Sequence, residues 1–206
     1  MPNEFAAEGL WRAAHPIDAA NLLASTEVPW WIAGGWALDL FRRSATRPHA
    51  DLDVGVLRRD VSIVLGNLST WDVFEAKGGR LTRLGAGAVP SMDIHSLWCR
   101  PAKADPWTIE LMLDEAVDDT WVYRREQRIR RSISTVVRQS PDGLPYLVPE
   151  IQLLYKSKAP RMRDDEDFAQ TWPLLAADAR RWLHDALEIV SPDHRWMSVL
   201  RSSNTR

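Results

Sequence analysis

The sequence holds one cysteine, Cys99, among 206 residues. That excludes an internal disulfide and a zinc site built from several thiolates. A basic excess is also missing: the formal charge is −2, whereas a general nucleic-acid binder carries a surplus of lysine and arginine. Nucleic acid is therefore not an expected partner. No apolar run approaches the ~20 residues that span a bilayer. Residues 1–9 lack the basic start and apolar middle of a secretory signal, so no membrane partner is expected and the chain reads as cytoplasmic. Gly-x4-Gly-Lys-Ser/Thr, His-Glu-x-x-His and Gly-x-Ser-x-Gly are absent, and Gly85-Ala86-Gly87 does not complete Gly-x-Gly-x-x-Gly. The five histidines, at 15, 49, 95, 184 and 194, show no metal-ligand spacing.

Apolar and aromatic residues are plentiful. With 45% hydrophobic residues and 11 tryptophans the chain can bury a substantial core. Its length suits one compact domain, or a core with a small helical appendage.

The most informative stretch begins at Trp30-Trp31-Ile32-Ala33, an apolar, strand-like run that breaks at Gly34-Gly35 into a segment of helical spacing reaching Arg43. Two glycines on a strand-to-helix turn let a bulky anion approach the backbone, near free N–H groups and the positive end of the helix dipole. Phosphate is the expected ligand. In the following run, residues 51–57, Leu52, Val54 and Val56 fall on one face of a strand while Asp51 and Asp53 share the other. Paired carboxylates in a partly dry site repel unless a divalent cation neutralises them, and oxygen-only ligands favour Mg²⁺ over zinc. A phosphate-accepting turn beside such a pair is what phosphoryl or nucleotidyl transfer requires.

Gly-Gly-Trp-Ala-x-Asp at 34–39, followed by Arg47-Pro48-His49-x-Asp51-x-Asp53, resembles the signature of the small aminoglycoside and lincosamide adenylyltransferases of the DNA polymerase beta-like superfamily. The resemblance fades in the middle of the chain and returns at Leu154-Tyr155-Lys156-Ser157-Lys158. It implies an α/β (α+β) fold, a palm-like mixed sheet flanked by helices, with a nucleotidyltransferase core over 1–145 and a helical C-terminal part over 146–206. It implies Mg²⁺, two ions, on Asp51 and Asp53, and ATP as donor of AMP to a hydroxyl of a small acceptor. Transfer to protein or tRNA, or a non-catalytic nucleotide-binding module, are the alternatives. The superfamily places a third carboxylate on the neighbouring strand. Glu110, acidic in the apolar run 107–114, is the candidate, as third metal ligand or as general base. The family also has a lysine facing the nucleotide, so Lys156 and Lys158 are candidates for neutralising the polyphosphate, against the commoner role of surface lysines.

Around these residues the expectations are plainer. Arg47 steadies a triphosphate or is a solvated loop charge; His49 orients a carboxylate or the substrate, or is a turn residue. Asp39 reads as structural. Residues 5–25 read as two short helices or one broken at Pro16, residues 60–68 as a helix capped by Asp60, and Lys77-Gly78-Gly79 as a hairpin turn. Residues 91–100 read as a strand with Asp93 and His95 on one face. Asp114 and Glu115 compete with Glu110 but read first as turn or cap residues at the strand's end, the arginines of 124–131 as a solvated face, and Pro141-Asp142-Gly143 as the turn between core and appendage. Pro149 opens a helix.

Overall fold

A computed structural model describes residues 4–6, 10–101 and 106–203. Its first elements are β1 (Glu4–Ala6), α1 (Pro16–Leu22) and β2 (Trp30–Ile32). Then come α2 (Gly34–Arg42), β3 (Asp53–Leu57) and α3 (Val61–Asn67). The middle of the chain is β-rich: β4 (Asp72–Lys77), β5 (Arg80–Arg83), β6 (Ser96–Arg100), β7 (Ile109–Val117), β8 (Thr120–Val122), β9 (Arg130–Ser132), β10 (Val137–Gln139) and β11 (Pro145–Leu147). Four helices close it: α4 (Pro149–Lys156), α5 (Met162–Thr171), α6 (Ala177–Val190) and α7 (Met197–Ser203).

The strands form a mixed sheet of order β1-β5-β4-β6-β7-β3-β2-β11-β10, with β8 and β9 continuing from the far half of β7. β3 and β7 run parallel at its centre, as do β2 and β11, and the other pairs are antiparallel. Helices flank the sheet; α4 packs on α2, α5 and α6. One apolar core, including Leu52, Val54, Val56, Leu111, Leu113, Ile151, Leu154, Leu183 and Leu187, joins the central strands to the C-terminal helices. Gly55 lies opposite Trp31 in the β2–β3 ladder, and a Cβ there would stand 2.0 Å from the Trp31 Nε1. The glycine makes room for the indole, so β3 is buried on both faces beyond Asp53.

Several local expectations change. Residues 5–25 hold a single helix that starts at Pro16, where the missing N–H costs nothing; Glu4–Ala6 is a strand paired with β5, and residues 7–9 lie outside the described residues. Asp60 makes no capping hydrogen bond, because a 3-10 turn, Arg58–Asp60, runs straight into α3. The strand expected over 91–100 begins only at Ser96: Asp93 pairs with Lys77, and the His95 Nδ1 faces the Arg58 guanidinium at 2.9 Å. Asp114 is no turn residue, since β7 continues to Val117 by pairing with β8. Gly78 and Gly79 turn the β4–β5 hairpin at φ +56° and +75°. Pro141-Asp142-Gly143 is a hairpin turn between β10 and β11, so the sheet runs on to Leu147.

Candidate active site

The strand-to-helix turn and the aspartate strand are built against each other. The Ala33 N–H donates to the Asp53 carbonyl at 2.9 Å, and Gly34 takes φ +63°, a left-handed conformation that L side chains resist. A Cβ on Gly34 would stand 2.0 Å from the Asp53 Oδ2; one on Gly35 would stand 2.4 Å from the His49 ring and 2.8 Å from the Arg47 Nη2. Both glycines are therefore required by close approach. The Gly34 N–H is not free for a ligand: it donates to the buried side-chain oxygen of Gln152 at 2.8 Å, which ties α2 to α4.

Asp53 lies directly opposite Glu110 in the parallel β3–β7 ladder, with Asp51 just before the strand. Burial pushes the Asp53 pKa well above the ordinary carboxylate range, and the charges of Glu110 and Asp51 push it further. Glu110 is likewise raised, first by burial and also by Asp51, although the Ser96 hydroxyl donates to its Oε1 at 2.6 Å. Asp53 and Glu110 thus carry a repulsion, to which the charge of Asp51 adds, that their surroundings do not cancel. Among the described residues no three His, Cys, Asp or Glu side chains stand ready as a complete metal cage. The donor set, oxygen-only and mutually repelling, nevertheless fits a hard divalent cation, which would remove that repulsion.

Asp51, Asp53, Gly34 and Gly35 line one cleft of about 280 Å³, together with Arg47, Lys156 and Lys158. All of these candidates from the sequence meet there; Glu110 stands on the adjacent strand, turned towards Ser96. The cations differ in how they are held. Lys156 is half-buried and bonded to Asp164 (2.8 Å) and Asp167 (3.0 Å), one turn apart on α5. Arg47 reaches Asp167 at 3.4 Å and the His49 Nδ1 at 3.3 Å. Lys158 is exposed and, among the described residues, has no carboxylate partner.

The loop that carries Arg47 is fixed by a buried network. His49 Nε2 lies 2.6 Å from the Asp39 Oδ2; since its Nδ1 faces a guanidinium, which only donates, Nε2 carries the proton and donates to Asp39. Arg42 and Thr46 also bond Asp39, at 2.5 and 3.2 Å. Burial raises the Asp39 pKa, but the bonds from His49 and Arg42 outweigh it and hold the group below its usual range. Asp39 lies beyond the first turn of α2, so it is not the helix-dipole partner expected; it is structural as the acceptor of this network, and His49 acts through it on the loop.

Several cleft residues were not singled out by the sequence. Gln152 has a signal in retrospect, a polar side chain on an otherwise apolar stretch of α4. Arg161, Arg163 and Asp164, at the start of α5, all line the cleft. Arg125, within the supposedly solvated arginine run, also lines it; its guanidinium lies over the Tyr155 ring at 5.4 Å and donates to the Tyr155 carbonyl at 3.0 Å. Only the fold brings it there.

The sequence profile described as aminoglycoside-2''-adenylyltransferase matches residues 17–170, from α1 to the end of α5. No curated protein matches the sequence. Among solved structures, the antibiotic-resistance factor ANT(2'')-Ia in solution is similar at TM-score 0.56 and 13% identity, over 93% of this chain and 96% of that one. The lincomycin-bound lincosamide antibiotic adenylyltransferase LnuA gives 0.53 and 15%, over 77% and 95%. ANT(2'')-Ia in complex with adenylyl-2''-tobramycin gives 0.51 and 13%, over 92% and 95%. At such identities these structures speak for the fold.

Proposed function

Because this chain belongs to the aminoglycoside-2''-adenylyltransferase family, we propose that it transfers AMP from ATP to a hydroxyl of a small acceptor of the aminoglycoside or lincosamide type. The observation that carries the reading is the placement of Asp53, opposite Glu110 and against a glycine whose Cβ would overlap it. In this reading the nucleotidyltransferase core, expected over residues 1–145, extends through β11 to Leu147, and the rest of 146–206 is a helical part that supplies cations to it, working in the cytoplasm.

The residues divide the work. Gly34 and Gly35 admit the triphosphate to the backbone. Arg47 and Lys158 hold its phosphates, and Lys156, already shared between two aspartates, offsets the negative charge of Asp53. Asp51, Asp53 and Glu110 would hold Mg²⁺, two ions, whose charge would stabilise the oxygens at the reacting phosphorus. The acceptor oxygen forms a bond to the α-phosphorus, the bond to the bridging oxygen breaks, and pyrophosphate leaves. Glu110, whose affinity for protons is raised, is placed either as the third ligand or as the base that takes the hydroxyl proton.

Incubation with labelled ATP, Mg²⁺ and an acceptor panel containing tobramycin and lincomycin tests this directly. Label transferred by the wild type and lost in Asp53→Ala is the expected result. Equal labelling by the two proteins, or release of pyrophosphate with no acceptor labelled, would refute it.

A further inference from the structure

Glu110 stands in a row of side chains that crosses one face of the sheet. The ladders pair Asp53 with Glu110, Glu110 with Trp98 and Trp98 with Phe74, so β3, β7, β6 and β4 each place one of these four on the same side. Met112, two residues on from Glu110, lines the cleft with Asp53, which makes this the cleft face. Glu110 is thus flanked on β6 by Ser96, which holds its Oε1 at 2.6 Å, and by Trp98 directly opposite.

Trp98 is half-buried, and its indole meets Trp11 and Trp107 edge to face with ring centroids 4.9 and 5.6 Å away. Phe74 and Trp107 are buried, and Arg100, paired with Asp72, covers their rings at 5.7 and 4.4 Å. Trp98 keeps part of its surface open and, among the described residues, has no cation over its ring.

In-line transfer puts the attacking and leaving oxygens on opposite sides of the α-phosphorus. The groups given to the phosphates come from one side of Asp53: Gly34 and Gly35 open α2 after β2, and Lys156 and Lys158 stand at the end of α4 after β11. The acceptor then enters from the other side, over β7 and β6, where Glu110 and Trp98 adjoin.

We propose that Trp98 is the platform on which the acceptor docks. A sugar or cyclitol ring lies with its C–H face on the indole, an ammonium substituent is held against the π-system, and the reacting hydroxyl is set beside Glu110. This rests on the nucleotidyl-transfer reading above and adds to it the residue that positions and selects the acceptor. Indole offers the strongest aromatic face to a cation, and a broad apolar area to the C–H groups of a ring.

Calorimetric titration of tobramycin into protein saturated with Mg²⁺ and a non-hydrolysable ATP analogue tests the platform. Trp98→Leu, apolar but without a π-face, should weaken tobramycin on the order of tenfold, while Trp98→Phe, with a smaller π-face, should lose only about threefold. Both should bind the ATP analogue as the wild type does. Trp107→Phe controls for disturbance of the aromatic cluster: it shrinks a buried ring against Trp98 and should lower Tm with tobramycin affinity unchanged. Four results overturn the proposal: wild-type affinity in Trp98→Leu, an equal loss for the ATP analogue, an equal loss in Trp107→Phe, or no binding of tobramycin to the wild type. Turnover with labelled ATP separates the platform from the reading beneath it. A higher KM for tobramycin in Trp98→Leu, with the KM for ATP unmoved, is expected. Transfer by Trp98→Leu with wild-type kcat and KM removes the platform and leaves transfer standing. Tobramycin binding that depends on Trp98, with no label transferred by the wild type, removes transfer and leaves the platform as a binding site.

Discussion

Gly34→Ala tests the site through one added methyl group. Two effects are separable. At φ +63° a residue with a Cβ is strained by about 1–2 kcal/mol. For a chain of this size that lowers Tm by roughly 2–8 °C, at roughly 2–4 °C for each kcal/mol. The second effect is local. The new Cβ would stand 2.0 Å from the Asp53 Oδ2 and 2.9 Å from its Cγ, where ordinary contact begins at 3.4 Å. Asp53 or the turn must therefore move by more than about 1 Å, a misplacement that costs on the order of 100-fold in rate. Gly78→Ala is the control. Gly78 has φ +56° but nothing within 4 Å of its Cβ position. It should show the same loss of Tm with unchanged transfer. Differential scanning calorimetry and ATP-dependent labelling of the acceptor, measured on both variants, make the comparison. If Gly34→Ala keeps wild-type turnover while losing only the Tm that Gly78→Ala loses, the turn does not set the position of Asp53 and the reasoning fails.

Other substitutions probe the charges. Asp53→Asn should abolish transfer yet raise the Tm of metal-free protein at neutral pH. A carboxyl whose folded pKa is raised favours the fold when protonated and loses that contribution as pH rises through the folded value, so removing the ionised group helps at pH 7; an unchanged or lower Tm would count against the mutual repulsion. Asp114, buried and bonded to the Tyr155 hydroxyl, is pushed up to about 6 by burial. Its contribution is complete below the ordinary carboxylate range and is lost between about pH 4 and 6, a difference on the order of 3 kcal/mol. Asp114→Asn should flatten the fall of chemical-denaturation stability across that window, and an unaltered pH profile would refute the assignment. Gln152→Ala leaves the buried Gly34 N–H without its partner and should cost about 1–3 kcal/mol, with slower transfer; full stability by urea titration would show that the α2–α4 tie is dispensable. His49→Ala should lower the affinity for ATP by freeing the loop that carries Arg47, readable as a higher KM for ATP.

The local pattern fixed the centre of the molecule. Period-two alternation put Asp51 and Asp53 on one side, and both line the cleft although β3 begins only at Asp53; two adjacent glycines after an apolar run marked the turn, because both signals lie within a few residues and depend on backbone geometry alone. The hairpin at Gly78-Gly79 and the helix opened by Pro149 were legible for the same reason. Strand limits at β6 and β7 were not. Residues 91–94 carry alternating side chains but pair with no strand among the described residues, while β7 outruns its apolar run because β8 folds back to pair with it.

Sequence alone therefore supplied the carboxylates, the glycines and the cations as separate pieces. The tertiary structure decided which pieces meet. Parallel pairing of β3 with β7 set Glu110 opposite Asp53 across fifty-seven residues of chain. Folding of α4 and α5 over the turn brought Gln152 to Gly34 and gave Lys156 two aspartate partners. Arg125, in a run that looks like solvated surface, became part of the cleft wall. The physical reason is common to all three. A side chain's partners, and so its charge state and work, depend on what the fold places across from it, and distances along the chain carry no record of that.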